Sequence, residues 1–105
     1  MRVTIAHHRT KQEVKDAVDQ TFNDLFQGVA GIPVQIMVQQ RSWQGDVLTF
    51  ALNAKMAALS APIKGTVEVT DTDLTMDVDL GILGHLIPEK KVSEVLGNRI
   101  KGLLK

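Results

Sequence analysis

The side chains of this sequence that are able to bind a metal or transfer a proton are mainly histidines and carboxylates, since the chain contains no cysteine. His7 and His8 are adjacent, so in a strand their rings point to opposite faces, and no acidic residue accompanies them at ligand spacing. His85 lies between Gly84 and Leu86, a context typical of a loop imidazole that bonds a backbone carbonyl. We therefore expect no metal site and no histidine base.

The carboxylates and hydroxyls do not specify a reaction either. Residues 71–73 resemble the start of a calcium loop, but Met76 and Ile82 occupy the positions of the required glycine and bidentate glutamate. Asp77 and Asp79 share one face of a strand, which suits acid–base chemistry and equally a solvated sheet face. No serine lies in a Gly-x-Ser-x-Gly context. We expect a protein that is not an enzyme and has no cofactor.

Composition narrows the class of protein further. The 105 residues, 44% of them hydrophobic, fit one domain that spans residues 1–105. The 12 basic and 12 acidic residues cancel and tyrosine is absent, so nucleic acid is not expected as a partner. The first residues are too polar for a signal peptide, and no apolar run approaches transmembrane length. With no cysteine, the chain suits a reducing compartment, and we expect a cytoplasmic location.

Residues 63–80 form the clearest structural pattern, two stretches of apolar–polar alternation that predict a β-hairpin with its turn at residues 70–73. Val69 and Leu74 must face the same side if both strands share one core, and this sets the register. The predicted pairs are Val69 with Leu74, Val67 with Met76, Gly65 with Val78 and Ile63 with Leu80 on the buried face, and Lys64 with Asp79 on the other.

The amino-terminal elements are a strand and a helix. Val3 and Ile5 alternate within a short strand, Arg2–Ala6, which we expect at a sheet edge. Thr10 and Glu13 match a capping box, which predicts the start of a helix. The apolar stripe predicted for this helix is Val14, Ala17, Val18, Phe22, Leu25 and Phe26, and the residues expected to end it are Gly28 and Gly31.

From Pro33 onward the period changes to two, which predicts two more strands. The residues predicted to point inward are Val34, Ile36 and Val38, and those predicted to point outward are Gln35, Met37, Gln39 and Arg41. The next strand, with Leu48, Phe50 and Leu52 inward, follows a predicted three-residue loop, 43–45, in which Gly45 takes a positive φ. This spacing pairs Val38 with Phe50. Residues 53–62 fit either a bulged strand extension or one helical turn.

The last element is predicted to be an amphipathic helix that begins at Pro88 and Glu89. Its apolar stripe is Val92, Val95, Leu96, Ile100, Leu103 and Leu104. Residues 82–87, which precede it, have no clear period. Together with Trp43 they either close an open end of the core or present an apolar patch to a partner. The candidate contact residues are Trp43, Leu83, Leu86 and Ile87.

These elements predict a two-layer α+β sandwich in the order β-α-β-β-β-β-α, with an antiparallel sheet of about five strands and both helices on one face. The other face is predicted to stay in water, and it would carry Met37, Thr49, Thr66, Thr75 and Asp77. The structural alternative is a small helix-grip fold, in which the sheet curls around the final helix and leaves an apolar cavity.

Three groups of residues are the basis of a resemblance to a known family. They are Trp43-x-Gly45-Asp46-x-Leu48-x-Phe50, Gly65-x-Val67-x-Val69, and Val78-Asp79-Leu80-Gly81 before a final helix that ends Leu103-Leu104. In their order and spacing the chain resembles the polyhydroxyalkanoic acid system proteins, short bacterial proteins grouped with polyhydroxyalkanoate granule metabolism. The resemblance implies association with granules or their regulation, and it provides no catalytic residues.

Three classes of function remain open at this point. The resemblance favours a non-enzymatic accessory protein bound to the granule surface or to a granule protein. The methionine and leucine content of the hairpin's inner face fits, as an alternative, a small carrier of acyl or other apolar ligands. An enzyme is the third class. An apolar cavity between helix and sheet would favour the carrier, and a solid core would favour the accessory protein.

Overall fold

The computed structural model describes residues 1–26, 35–56, 58–85 and 88–104. Its elements are β1 (Arg2–Ala6), α1 (Lys11–Leu25), β2 (Gln35–Gln44), β3 (Val47–Met56), β4 (Leu59–Val69), β5 (Asp73–Asp79), a 3₁₀ helix (Gly81–His85) and α2 (Glu89–Leu103). The strands form one antiparallel sheet in the order β1-β5-β4-β3-β2. The predicted α+β class and element order are therefore confirmed, and the sheet is open, with β1 and β2 at its edges.

The hairpin of β4 and β5 has the predicted register. Val69 lies opposite Leu74, and the series continues to Gly65 opposite Val78 and Lys64 opposite Asp79. The inward-facing members are buried, because the helices cover this face of the sheet, except Gly65, which is half-buried. The turn is stabilised by the Thr70 hydroxyl, which accepts hydrogen bonds from the backbone N–H groups of residues 72 and 73 at 3.3 and 2.9 Å.

Strand β1 occupies the predicted edge position and pairs with β5. Helix α1 begins with the predicted capping box: the backbone N–H of Glu13 donates to the Thr10 hydroxyl, and the Glu13 carboxylate accepts from the Thr10 N–H. Every predicted core residue of α1 is buried except Ala17, which is half-buried. The helix ends at Leu25, and the glycines predicted to end it, at positions 28 and 31, lie outside the described residues.

The connection between β2 and β3 differs from the prediction. Its turn contains two residues, Gly45 and Asp46, and Trp43 belongs to β2. Gly45 does take a positive φ, of 62°. The predicted pairing of Val38 with Phe50 is wrong, because Val38 lies opposite Leu52.

A β-bulge at Gln39 explains the remaining difference in β2. Val38 and Gln40 are opposite consecutive residues of β3, so Gln39 is an extra residue that shifts the alternation by one. The outward position predicted for Arg41 is therefore wrong. Arg41 lies opposite Phe50, on the face that the helices cover. Val38 also belongs to that face, but its edge position leaves it 38% exposed.

Residues 53–62 adopt the strand alternative. Strands β3 and β4 continue past Asn53 and Pro62 until Met56 lies opposite Leu59. Ala54 and Ala61 face each other on the buried side, where their exposed fractions are 1% and 0%. Residue 57, in the turn, lies outside the described part of the chain.

The core fills the layer between the sheet and the two helices. Its centre is a group of three rings, in which Phe22 of α1 and Phe26, the C-cap residue of that helix, lie 5.1 and 5.6 Å from Phe50 of β3. Helix α2 buries three residues of its predicted stripe, Val92, Leu96 and Ile100, and its C-cap residue Leu104 is also buried, while Val95 and Leu103 are half-buried. On the opposite face of the sheet, residues 37, 49 and 77 are exposed and residues 66 and 75 are half-buried, as predicted for a face in water.

Candidate functional site

Trp43 packs against helix α1. Its indole N–H donates to the Asp19 carboxylate at 3.2 Å, and the ammonium of Lys15 lies 5.1 Å from the centre of the ring. The side chain is half-buried as a result. The sequence allowed Trp43 either to pack on its own chain or to contact a partner. In the structure it packs on its own chain.

Arg41 reaches the same helix two residues earlier in β2. Its guanidinium lies 5.3 Å from the ring centre of Phe22 and donates to the backbone carbonyl of Asp19 at 3.3 Å. The Asp19 carboxylate is 3.8 Å away. Asp19 therefore contacts both residues that the bulge turns towards α1, and this joins the edge strand to the helix layer.

Asp46 continues these contacts at the turn. It accepts a hydrogen bond from Lys11 at 3.1 Å and lies 3.6 Å from Lys15, which also donates to the Gly45 carbonyl at 2.7 Å. The hydrogen bond from Lys11 holds the pKa of the Asp46 carboxyl below its usual range, and the same bond raises the pKa of Lys11. We call this set of residues the turn anchor: Lys11, Lys15, Asp19, Arg41, Trp43, Gly45 and Asp46.

The turn anchor accounts for part of the family-like pattern in structural terms. The first three residues of that pattern are Trp43, Gly45 and Asp46. All three belong to the contacts that hold the β2–β3 turn on α1. Their helical partners were not identified from the sequence. A signal was present, because residues 11, 15 and 19 are charged and recur at steps of four, which places them along one side of the helix.

Residues 82–87 are only partly described. Gly81 is the first residue of the 3₁₀ helix and has a φ of 57°. Its N–H donates to the Asp79 carboxylate at 2.9 Å. Ile82 is 52% exposed and His85 is also exposed. The side chain of Leu83 and all of residues 86 and 87 lie outside the description, so their predicted contact role stays a prediction.

The amino-terminal histidines are separated by burial. His7 is 4% exposed, and its Nε2 lies 2.9 Å from the Thr70 carbonyl while its Nδ1 accepts from the Arg9 N–H. Nε2 therefore holds the proton of a neutral ring, since Nδ1 is an acceptor. His8 is exposed. Within the described residues, no group of three or more metal-binding side chains is placed to hold an ion.

A shallow groove of about 570 Å³ crosses the helix-free face of the sheet. Its charged lining residues are Lys64, Asp77 and Asp79, and the Asp77 carboxylate lies 3.3 Å from the guanidinium of Arg2. Asp77 and Asp79 do share this face as their spacing indicated, and both are exposed. Exposed carboxylates of this kind are typical of a sheet face in water.

Exposed apolar side chains are few among the described residues. The large ones are Met37 at 55%, Ile82 at 52% and Val38 at 38%. Met37 and Val38 are neighbours in β2, and Ile82 lies in the 3₁₀ helix. Trp43 is half-buried, and its predicted contact with a partner stays a prediction.

Comparison with known proteins adds no relative: no family model, no curated protein and no solved structure matches the chain. Neither helix of the described residues has the length and apolarity needed to cross a membrane.

Proposed function

We propose that the protein is a non-enzymatic accessory protein of polyhydroxyalkanoate metabolism, which acts at the surface of the polyester granule or on a granule protein. The sequence resemblance supplies the biological setting. The structural observation that supports it is the exposure of Ile82, which is 52% accessible in the turn between β5 and α2. That turn follows directly on the Val78-Asp79-Leu80-Gly81 residues of the resemblance.

Docking of this kind would rely on apolar contact. The formal net charge of the chain is zero, so long-range attraction to an anionic surface is weak. Apolar contact survives moderate salt, which screens exposed charges over about 10 Å at 0.1 M. Association with granules is therefore expected to persist when the salt concentration is raised.

The filled core gives the accessory role more support than the carrier. Phe22, Phe50 and Leu96, which lie where an apolar ligand would enter between helix and sheet, are each at most 2% exposed. The groove of about 570 Å³ lies instead on the polar face of the sheet. A carrier of acyl chains requires an apolar cavity, and the described residues place side chains in that layer.

The test is the location of a fluorescently tagged protein in cells that do or do not accumulate polymer. We expect the tagged protein to collect at granules only in accumulating cells, and to sediment with isolated granules at raised salt. Ile82→Ser should reduce that sedimentation, and Ala6→Ser, an apolar-to-serine change at an exposed position of β1, serves as the control and should leave it unchanged. A diffuse signal in both kinds of cell would contradict the proposal.

Residues 86 and 87 belong in the same assay. If Ile82→Ser has no effect while the joint replacement of Leu86 and Ile87 by Ser releases a folded protein from granules, the contact lies later in the same run. If that double variant unfolds, these two side chains belong to the core. Circular dichroism on each purified variant separates the two results.

A further inference from the structure

Strand β2 is an edge strand with an unusual surface. It pairs with β3 on one side, and among the described residues no strand pairs with its other side. Eight of its ten residues are exposed. An edge presents a row of unpaired backbone N–H and C=O groups, which proteins usually protect with lysine, proline, a β-bulge, an inward-pointing charge or a cover. The bulge at Gln39 and the inward-pointing Arg41 protect the part of β2 near the turn, whereas residues 35–38 contain no lysine, proline or charge.

The two exposed apolar residues of β2 lie on opposite faces of the sheet. Met37 is opposite Asn53 on the helix-free face, and Val38 is opposite Leu52 on the helix-covered face. A partner that docks on either face would cover one of them. A strand added in the plane of the sheet, about 4.8 Å from β2, would contact both. The exposed groups therefore fit an extended partner strand.

From this we propose that two copies of the chain pair through β2 in an antiparallel arrangement about a twofold axis centred on Met37. The twofold axis is perpendicular to the sheet, so residues that face each other must lie on the same face, which requires their numbers to sum to an even value. Centring on Met37 gives Met37 opposite Met37 of the second copy, and Val38 opposite Ile36 of the second copy.

This register is self-complementary. It places apolar residues opposite apolar residues at all three central pairs and opposes no like charges, since residues 35–40 carry none. Because Gln39 is bulged, regular pairing with the second copy is limited to the short segment of β2 that precedes it. We therefore expect a weak, concentration-dependent dimer that has one continuous ten-stranded sheet and both helix layers on the same side.

The absence of cysteine from the chain makes a direct test possible. Met37→Cys would place two thiols opposite each other with Cα atoms about 4.5–5.5 Å apart, a separation at which a disulfide forms. Ser42→Cys is the matched control, because Ser42 is exposed on the same strand and the same face but is not opposite itself in this register. Treated with a thiol oxidant at equal concentration, Met37→Cys should cross-link at least about ten-fold faster.

The second measurement is the mass of the wild-type protein in solution. Sedimentation of the wild type should show the mass rise from 11.5 kDa towards twice that value with concentration, and Met37→Lys, which opposes two ammonium groups, should stay at 11.5 kDa. Equal cross-linking rates for the two cysteine variants would overturn the proposal. A wild type that remains monomeric up to about 1 mM would also overturn it. In that case the partner of the β2 edge would be an extended peptide of another protein. Growth beyond a dimer would indicate pairing of β2 with β1 and would also overturn it.

Discussion

Phe50 lies directly opposite Gly65 in the sheet, and its ring occupies the space that a side chain at position 65 would need. A Cβ atom on residue 65 would stand 2.5 Å from the tip of the ring and 2.6 Å from the backbone carbonyl of Asp77. The ring is itself held by Phe22 and Phe26. The glycine therefore permits the central aromatic group of the core to lie against the backbone of β4.

Replacement of this glycine should destabilise the fold. We expect Gly65→Val to lower the free energy of unfolding by about 1 to 3 kcal/mol, because the added atoms overpack a region closed on one side by backbone. Chemical denaturation measures the change. The control is Gly102→Ala in α2, where an added Cβ meets no atom within 4 Å, and there we expect a gain of up to about 1 kcal/mol. An unchanged stability in Gly65→Val would contradict the inward orientation.

The turn anchor should be measurable through the single tryptophan of the chain. Trp43→Phe keeps a ring on α1 but removes the hydrogen bond to Asp19, and we expect a loss of about 0.5–1 kcal/mol. Asp19→Ala removes the same bond from the other side and should shift the emission of Trp43 to longer wavelength as the indole becomes more exposed. Asp16→Ala, on the solvent side of the same helix, should leave the emission unchanged.

His7 and His8 offer a matched pair of substitutions in adjacent positions. His7→Ala should cost about 1–3 kcal/mol, because it leaves the Thr70 carbonyl and the Arg9 N–H without their imidazole partner in a partly buried region. His8→Ala removes an exposed side chain, and we expect a change within about 0.5 kcal/mol. Equal effects in urea denaturation would show that the bonds of His7 contribute nothing to stability.

Acid should weaken the turn anchor and the start of α1. The hydrogen bond from Lys11 lowers the pKa of Asp46, and the backbone hydrogen bond from Thr10 lowers the pKa of Glu13. A carboxyl with a lowered folded-state pKa stabilises the fold above its unfolded-state pKa, and this is lost as the pH falls below about 4 through the folded-state value. The decrease of Tm between neutral pH and pH 2 should therefore be smaller in Asp46→Asn.

Asp16→Asn is the matched control, since it makes the same substitution at an exposed position of α1 that lies outside the turn anchor. At the other end of the scale, the raised pKa of Lys11 predicts a loss of stability as the pH rises above about 10.5. A Tm profile in acid that is identical for the wild type and Asp46→Asn would show that the carboxylate of Asp46 does not stabilise the fold.

The parts of the fold that were predictable are those in which every residue follows one period. Strands β4 and β5 alternate without interruption, so their register followed from the positions of Val69 and Leu74. The capping box of α1 was equally local. Strand β2 was predictable only up to Val38, because the extra residue is a glutamine, and no glycine marks the bulge.

The error in β2 then extended to the candidate site. Without the bulge, the alternation places Arg41 outward and moves Trp43 into the loop. With it, both side chains reach Asp19, a contact between residues more than twenty positions apart. Such a contact depends on how α1 crosses the sheet, and that geometry is set by the packing of Phe22 and Phe50 rather than by any local pattern.

The bulge also determines how β2 tolerates changes in chain length. Removal of Gln39 would leave Val38 and Gln40 opposite Leu52 and Ala51, as they already are, so every existing pair and both side-chain faces would be retained. Removal of a residue between the bulge and the turn, such as Ser42, would instead exchange the faces of part of the strand. Proteins of this architecture that differ by one residue in length at position 39 are therefore expected to keep the same hairpin, whereas a single-residue change elsewhere in β2 would require compensation at the turn.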